Sequence, residues 1–407
     1  MIPAEILIAR LKRLQAVEIQ SARLLGGWLP GIVGWEIKHQ VGIHLWQDAT
    51  HSKELRTRLW ELRTPNPDRG LDEGLGELIR GLAAAQEDYE FLAGLYLVLK
   101  TELVVAYRAV AENTHRVYDA PTVALIARLL PEKEAQVAWA EREVAALSAS
   151  GEKQRQVARW LQYARDLLAA TGGIFGEGRP AGADGSVTPP PGYGLARLPF
   201  PQALRDSRFK LVLGGMALPA ENDRDAQVLF QFFNYSQEMQ AAETLGSLLW
   251  ECEGMEWEFY YDLARHCYDE VRHSALGQSR LRELGHHVTD FPNTVVNYAW
   301  RQLVDPLRRY CVLTYVIEAD AFKYKHSTYQ QHLQAGDLES AQAVLFDITD
   351  ETMHVRFGQK WVPALIKRYG YDGALEQLVD ECRQILIKNT VNPLQRQAAA
   401  EAGQRRY

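Results

Sequence analysis

Residues 258–284 read EFYYDLARHCYDEVRHSALGQSRLREL, and residues 36–62 read EIKHQVGIHLWQDATHSKELRTRLWEL. Both carry apolar residues at helical spacing, and they align without a gap. In that register Glu36 meets Glu258, His44 meets His266, Asp48 meets Glu270 and His51 meets His273. A shorter match precedes them, EIQSARLLGG from Glu18 beside EMQAAETLGS from Glu238. A weaker one follows: ALIARLLPEKEA against AVLFDITDETMH pairs Glu132 with Glu351 but Ala135 with His354. The chain therefore reads as all-α, a duplicated unit of about 150 residues with about four helices in each copy.

Between the copies, TGGIFGEGRPAGADGSVTPPPGYG and then ALPAENDRD are rich in Gly and Pro, which stop helices. The expected division is a helical domain over 1–170, an irregular linker over 171–225, a second helical domain over 226–390 and a polar, fraying tail over 391–407. A chain of 407 residues can bury two cores. The net charge of −7 argues against a nucleic-acid partner. No run of about 18 apolar residues suggests a membrane span, and no signal peptide is evident at the N-terminus. Cys252, Cys267, Cys311 and Cys382 show no CxxC spacing, as expected of buried thiols in a reducing cytoplasm.

The acids become informative when counted from the turns. Helices joined by a short turn run antiparallel, so residues equally far from the turn lie side by side. Gly254 is a plausible turn, and Glu238 and Glu270 each stand 16 residues from it, roughly 24 Å up the hairpin. A second turn at Ala335 and Gly336 makes Glu318 the mirror of Glu351. His273 and His354 each follow a Glu by three residues, on the same helix face. Four carboxylates buried in a helical core are prohibitive unless cations offset them. A lone Glu-x-x-His carries little weight, since it also occurs at Glu36/His39 and Glu112/His115.

One Glu from each of two helices, with Glu-x-x-His from the other two, resembles the ferritin-like di-iron carboxylate proteins, a group that includes ribonucleotide reductase small subunits, acyl-carrier-protein desaturases, bacterioferritins and rubrerythrins. The resemblance covers residues 225–388. It implies two ferritin-like four-helix bundles in tandem, the second holding two iron ions, or manganese or a mixed pair, on Glu238, Glu270, His273, Glu318, Glu351 and His354. It also implies that Asp269 and Asp350 hydrogen-bond the ligand histidines. The activity implied is that of an oxidoreductase using O2 on a small organic substrate, with an electron donor as a further partner and a homodimer allowed. The competing readings are a ferroxidase or metal-storage protein and a non-catalytic helical structural or binding protein.

The N-terminal copy shows the same symmetry with poorer chemistry: Glu18 and Asp48 about one turn, Glu102 and Glu132 about another, with His51 retained and Ala135 in place of the second imidazole. It reads as a degenerate copy with a vestigial site. His44 and His266, one turn short of the acids, read as polar fillers of the bundle. Tyr235, Tyr268, Tyr315 and Tyr324 read first as packing residues with bonded hydroxyls.

Overall fold

The computed structural model describes residues 2–178, 187–193, 197–220 and 222–404. The linker's residues 179–186, 194–196 and 221, and residues 405–407 of the tail, lie outside the described residues. The fold is all-α. Among the described residues there is no strand, only an isolated parallel bridge between Leu211 and Asn293. None of the described helices is long and apolar enough to cross a membrane. The four cysteines are free and buried.

Contacts divide the chain into two compact units, one of Met1–Trp28 with His44–Pro199 and one of Leu29–Ile43 with Phe200–Tyr407. This differs from a simple division before and after a linker: residues 29–43 group with the second unit, and the linker is split after Pro199. The reason lies in buried charge. The ammonium of Lys38, fully buried, donates to the Leu29 carbonyl at 2.7 Å and to Glu243 Oε1 at 2.6 Å. Arg205 grips the same carboxylate through two nitrogens at 2.6 and 3.0 Å. Both ends of the added chain are thus tied to one buried acid.

The first unit contains α1 (Ala4–Trp28), most of α2 (Trp35–Glu61), α3 (Glu73–Ala83), α4 (Asp88–Gly94), α5 (Thr101–Asn113), α6 (Ala120–Leu147) and α7 (Gly151–Ala170). Between α4 and α5 the helix passes without a break through a π-helical segment, Leu95–Lys100. The second unit contains α8 (Arg224–Ser236), α9 (Met239–Glu251), α10 (Trp257–Glu283), α11 (Val296–Arg301), α12 (Pro306–Cys311), α13 (Ala319–Gln334), α14 (Leu338–Tyr369), α15 (Leu375–Asn389) and α16 (Pro393–Gln404). A π-helical segment, Val312–Glu318, again joins α12 to α13. Such segments widen one turn and advance the phase of everything beyond it.

In the second unit α10 packs along α8 and α9 on one side and α14 on another, while α13 packs along α14. α14 starts where Asp337 caps the Ser340 N–H at 3.1 Å and stops at Gly370. Gly277 sets the closest approach of α8 and α10. A Cβ there would stand 2.4 Å from the Ser236 nitrogen and 2.5 Å from the Phe232 carbonyl oxygen. At Gly358 of α14 a Cβ would meet the Thr314 hydroxyl at 2.5 Å, so the π segment lies directly against that helix.

The tail departs from expectation. It forms α16, which packs on α15 and α13 and buries Ala399 at 1% exposure. Asn392 accepts from the Leu394 N–H at 3.0 Å, Pro393 supplies a preset φ at the start, and the alanine-rich sequence propagates the helix.

Because backbone atoms cannot yield as a side-chain tip can, Gly277→Ala is expected to destabilise the protein by about 1–3 kcal/mol despite its better helix propensity. Urea unfolding of the variant against wild type measures this; an unchanged midpoint would mean α8 and α10 are not so tightly apposed.

Candidate metal centre

Four segments of the second unit deliver acids to one place. Glu238 sits at the break between α8 and α9, Glu270 on α10, Glu318 on the last residue of the π segment and Glu351 on α14. Glu270, Glu318 and Glu351 are buried, while the Glu238 side chain keeps 26% of its exposure. His273 and His354 are buried beside them. Glu270 lies between the two rings: its Oε2 is 3.8 Å from His273 Nδ1 and its Oε1 is 3.6 Å from His354 Nδ1. Glu238 Oε2 stands 3.1 Å from His273 Nδ1, and Glu351 Oε2 stands 3.5 Å from His354 Nδ1.

The far side of each ring is held by an aspartate from the opposite helix. Asp350 of α14 takes His273 Nε2 at 3.2 Å, and Asp269 of α10 takes His354 Nε2 at 3.4 Å. Arg272 Nη1 bridges the two aspartates at 2.6 and 3.1 Å, and Arg265 Nε adds a bond to Asp269 at 2.7 Å. Burial alone would raise Asp269, but His354 and Arg265 hold it well below the usual carboxylate range. An ionised aspartate takes the Nε2 proton and leaves each Nδ1 as a bare lone pair.

Those lone pairs face carboxylate oxygens. Nδ1 of His273 and of His354, and Oε2 of Glu238, Glu318 and Glu351, are all buried with no hydrogen-bond partner. Facing lone pairs at such distances repel unless a proton or a metal cation lies between them. In the absence of a cation, protons fill the gap. Burial works against charge on His354, yet the adjacent carboxylates of Asp269 and Glu351 carry it up to about 10. His273 is likewise raised well above its ordinary value, against burial, by Asp350, Glu238 and Glu270. Burial also pushes the Glu238 carboxyl up to about 8 in spite of His273. The donor set fits divalent metal: six side chains of carboxylate and imidazole type, with unpaired atoms turned toward one another.

Other residues at the centre lie outside the set read from the sequence. Asp347, one turn before Glu351 on α14 and fully buried, places a carboxylate oxygen 3.7 Å from His273 Nδ1 and accepts the Tyr235 hydroxyl at 2.8 Å. Lys325 donates to Asp347 at 2.7 Å and to Glu351 Oε1 at 2.6 Å. It follows Glu318 by seven residues, two helical turns on the same face, and that spacing was its available signal. His266 stacks on His354 at 3.8 Å and takes Glu318 Oε1 at 2.8 Å, so it touches the acids instead of merely filling space. Of the tyrosines, Tyr235 is bonded within the centre, whereas Tyr324 is 48% exposed.

The first unit requires a correction. Glu102 is exposed and the Glu132 side chain is 52% exposed, so neither points into the core. Glu132 reaches only His51 Nε2, at 3.1 Å. The inward positions belong to Lys100, the last residue of the π segment, and Lys133, both fully buried. Lys133 donates to Glu18 at 2.7 Å and Asp48 at 2.6 Å, and Lys100 pairs with the other Asp48 oxygen at 2.7 Å. Gln136 follows Lys133 by three residues and bonds Lys100 at 2.8 Å. Lys100, like Glu318, ends a π segment, and a shift of one residue from the sequence register sets Lys133 against Glu351 and Gln136 against His354. Although Glu18, Asp48 and His51 lie close enough to hold an ion, two ammonium groups already cancel the two carboxylates.

The family described as "Protein of unknown function (DUF455)" matches residues 218–406, a span that includes all six candidate ligands and none of the first unit. Neither the curated proteins nor the solved structures contain a match to the chain.

Removing the ammonium of Lys133 would leave buried Glu18 with the Tyr107 hydroxyl but no ammonium partner, and Asp48 with Lys100 alone to balance it. Lys133→Met is expected to cost about 3–5 kcal/mol, read as a lowered unfolding midpoint. A neutral result would show that the two acids take up protons at little cost.

Proposed function

We propose that the second unit is a ferritin-like di-metal carboxylate centre, and that the chain is an O2-dependent oxidoreductase acting on an organic substrate. On this reading α8 with α9, α10, α12 through α13, and α14 form one four-helix bundle. α1, α2, α4 through α5, and α6 form its degenerate copy. The observation that carries the proposal is the convergence of unpaired atoms: two bare Nδ1 atoms and three bare carboxylate oxygens, all buried. Glu238, Glu270, His273, Glu318, Glu351 and His354 would together hold the two ions. Bound iron, or manganese, would supply electrons to O2.

The protein's own contribution is legible in its side chains. Asp269 and Asp350, braced by Arg265 and Arg272, orient the imidazoles and fix which nitrogen is free. Lys325 holds one oxygen of Glu351 and leaves the other unpaired. A cavity of about 920 Å³ reaches Glu238, Glu318 and Glu351. Its walls include Val316, Phe322 and Val344 from the core and Leu394 and Ala398 from α16. That volume lies at the upper end of the range for sites that enclose organic ligands. It favours an organic substrate over handling of the metal for its own sake. The free cysteines fit a reducing compartment such as the cytoplasm.

After anaerobic loading with Fe(II), wild type is expected to carry about two ions per chain, and Glu270→Ala and Glu351→Ala to lose most of them, by elemental analysis. Full occupancy in both variants would remove the centre. O2 uptake that depends on an added organic compound separates an oxygenase from a ferroxidase, which consumes O2 with Fe(II) alone.

Loading must expel the protons on His273, His354 and Glu238. Apparent metal affinity is therefore expected to fall at least tenfold between pH 8 and pH 6, measured by competition with a chelator of known proton linkage. A flat profile would mean that the imidazoles are already neutral.

A further inference from the structure

Adjoining the large cavity, and sharing Glu238, Glu318, Glu351 and Gln395 with it, lies a small cavity of about 110 Å³. Glu238, Glu270, Glu318 and Glu351 border it, and so do Arg301 and Gln240. Arg301 is 3% exposed, and Glu270 and Glu318 act on it through charge alone, without a hydrogen bond. Among the described residues its only side-chain hydrogen bond is a long one, Nη1 to the Thr244 hydroxyl at 3.4 Å, and its Nε has no partner. Gln240, 2% exposed, uses its oxygen on the Tyr298 N–H at 3.2 Å and leaves its Nε2 unpartnered. Two buried donors, one of them permanently charged, thus remain unused beside one cavity. The guanidinium's other neighbour is the Trp300 ring, 5.5 Å away, which offers it no anionic partner.

Charge counting indicates what completes it. Glu238, Glu270, Glu318, Asp347 and Glu351 bring five negative charges, and Lys325 brings one positive. Without metal, Arg301 helps to offset that excess from a distance. With two divalent ions bound and the imidazoles neutral, the acids and Lys325 are already balanced, and Arg301 is left as one positive charge without a counter-ion. We propose that this cavity is a subsite for a small carboxylate, held by Arg301 and Gln240 Nε2 against the loaded metal centre. A carboxylate matches the planar fork of a guanidinium. The volume is somewhat below that of a cavity that takes up benzene, about 150 Å³, so the group that enters has only a handful of heavy atoms. The subsite rests on the di-metal reading above and names the ligand chemistry that reading leaves open.

The test uses the full chain loaded with Co(II), whose visible absorption reports on the centre, titrated with acetate, acetamide and inorganic phosphate. Saturable spectral change with acetate is expected, with acetamide and phosphate each at least tenfold weaker. Arg301→Gln is expected to keep its cobalt and weaken acetate at least tenfold, with Arg301→Lys intermediate. Retained cobalt with no acetate response, or equal response in Arg301→Gln, overturns the subsite and leaves the metal centre standing. Phosphate binding as tightly as acetate also overturns it. Failure of wild type to take up cobalt overturns both. The acetate–acetamide comparison in wild type decides the matter even if the variants fail to fold.

Discussion

Burying several carboxylates together is the constraint to which both units answer. Each acid taken from water loses solvation worth several kcal/mol after relaxation, and neighbours of like charge add to the loss. The second unit gathers Glu238, Glu270, Glu318, Asp347 and Glu351 in one place and supplies a single ammonium, Lys325, in contact with them. The remaining compensation must come from protons or from metal. The crossed bonds from Asp269 and Asp350 take each imidazole's Nε2 proton outward and leave Nδ1 facing in, toward the acids, where a second proton or a cation can sit.

The first unit offers a contrast within the same chain. It retains Glu18 and Asp48, but Lys100 and Lys133 supply two ammonium groups and Gln136 an amide. Burial works against Lys133, but Asp48 and Glu18 raise it above its ordinary value; Lys100 is lowered to about 8 by burial against the attraction of Asp48. Both lysines stay cationic near neutral pH. The cluster therefore balances itself without an ion, and Tyr107 completes it by donating to Glu18 at 2.6 Å.

How much of this was legible in the sequence follows from helical phase. Counting from the turns at Gly254 and Gly336 needs only distance along a rod, and it reached Glu238, Glu270, Glu318 and Glu351. The same count in the first unit landed on Glu102 and Glu132, two residues and one residue from Lys100 and Lys133. One residue rotates a side chain by about 100°, enough to move it from the core to solvent. Nor could the count see Lys325, Asp347 or Arg301, because a charged residue in a polar stretch reads as solvated until its neighbours are known. The helical tail escaped for a related reason: its alanines look neutral by pattern and become a helix by capping at Asn392 and packing of Ala399.

The π segments connect these observations. Each ends on an inward residue, Lys100 in one unit and Glu318 in the other. A wide turn held in both units, while the residue at its end changes sign, indicates that the backbone device is older than, or independent of, the charge it presents. In the second unit Gly358 admits Thr314 so closely that a Cβ there would stand 2.5 Å from its hydroxyl, so the π turn and α14 are packed without a side chain between them. Geometry is thus set by packing, and chemistry by the side chain at its end. An acid there adds to the charge that must be neutralised from outside; a lysine closes the cluster from within. The same difference recurs at Lys133 and Glu351, so that one cluster is balanced by its own side chains and the other is left with an excess of acids.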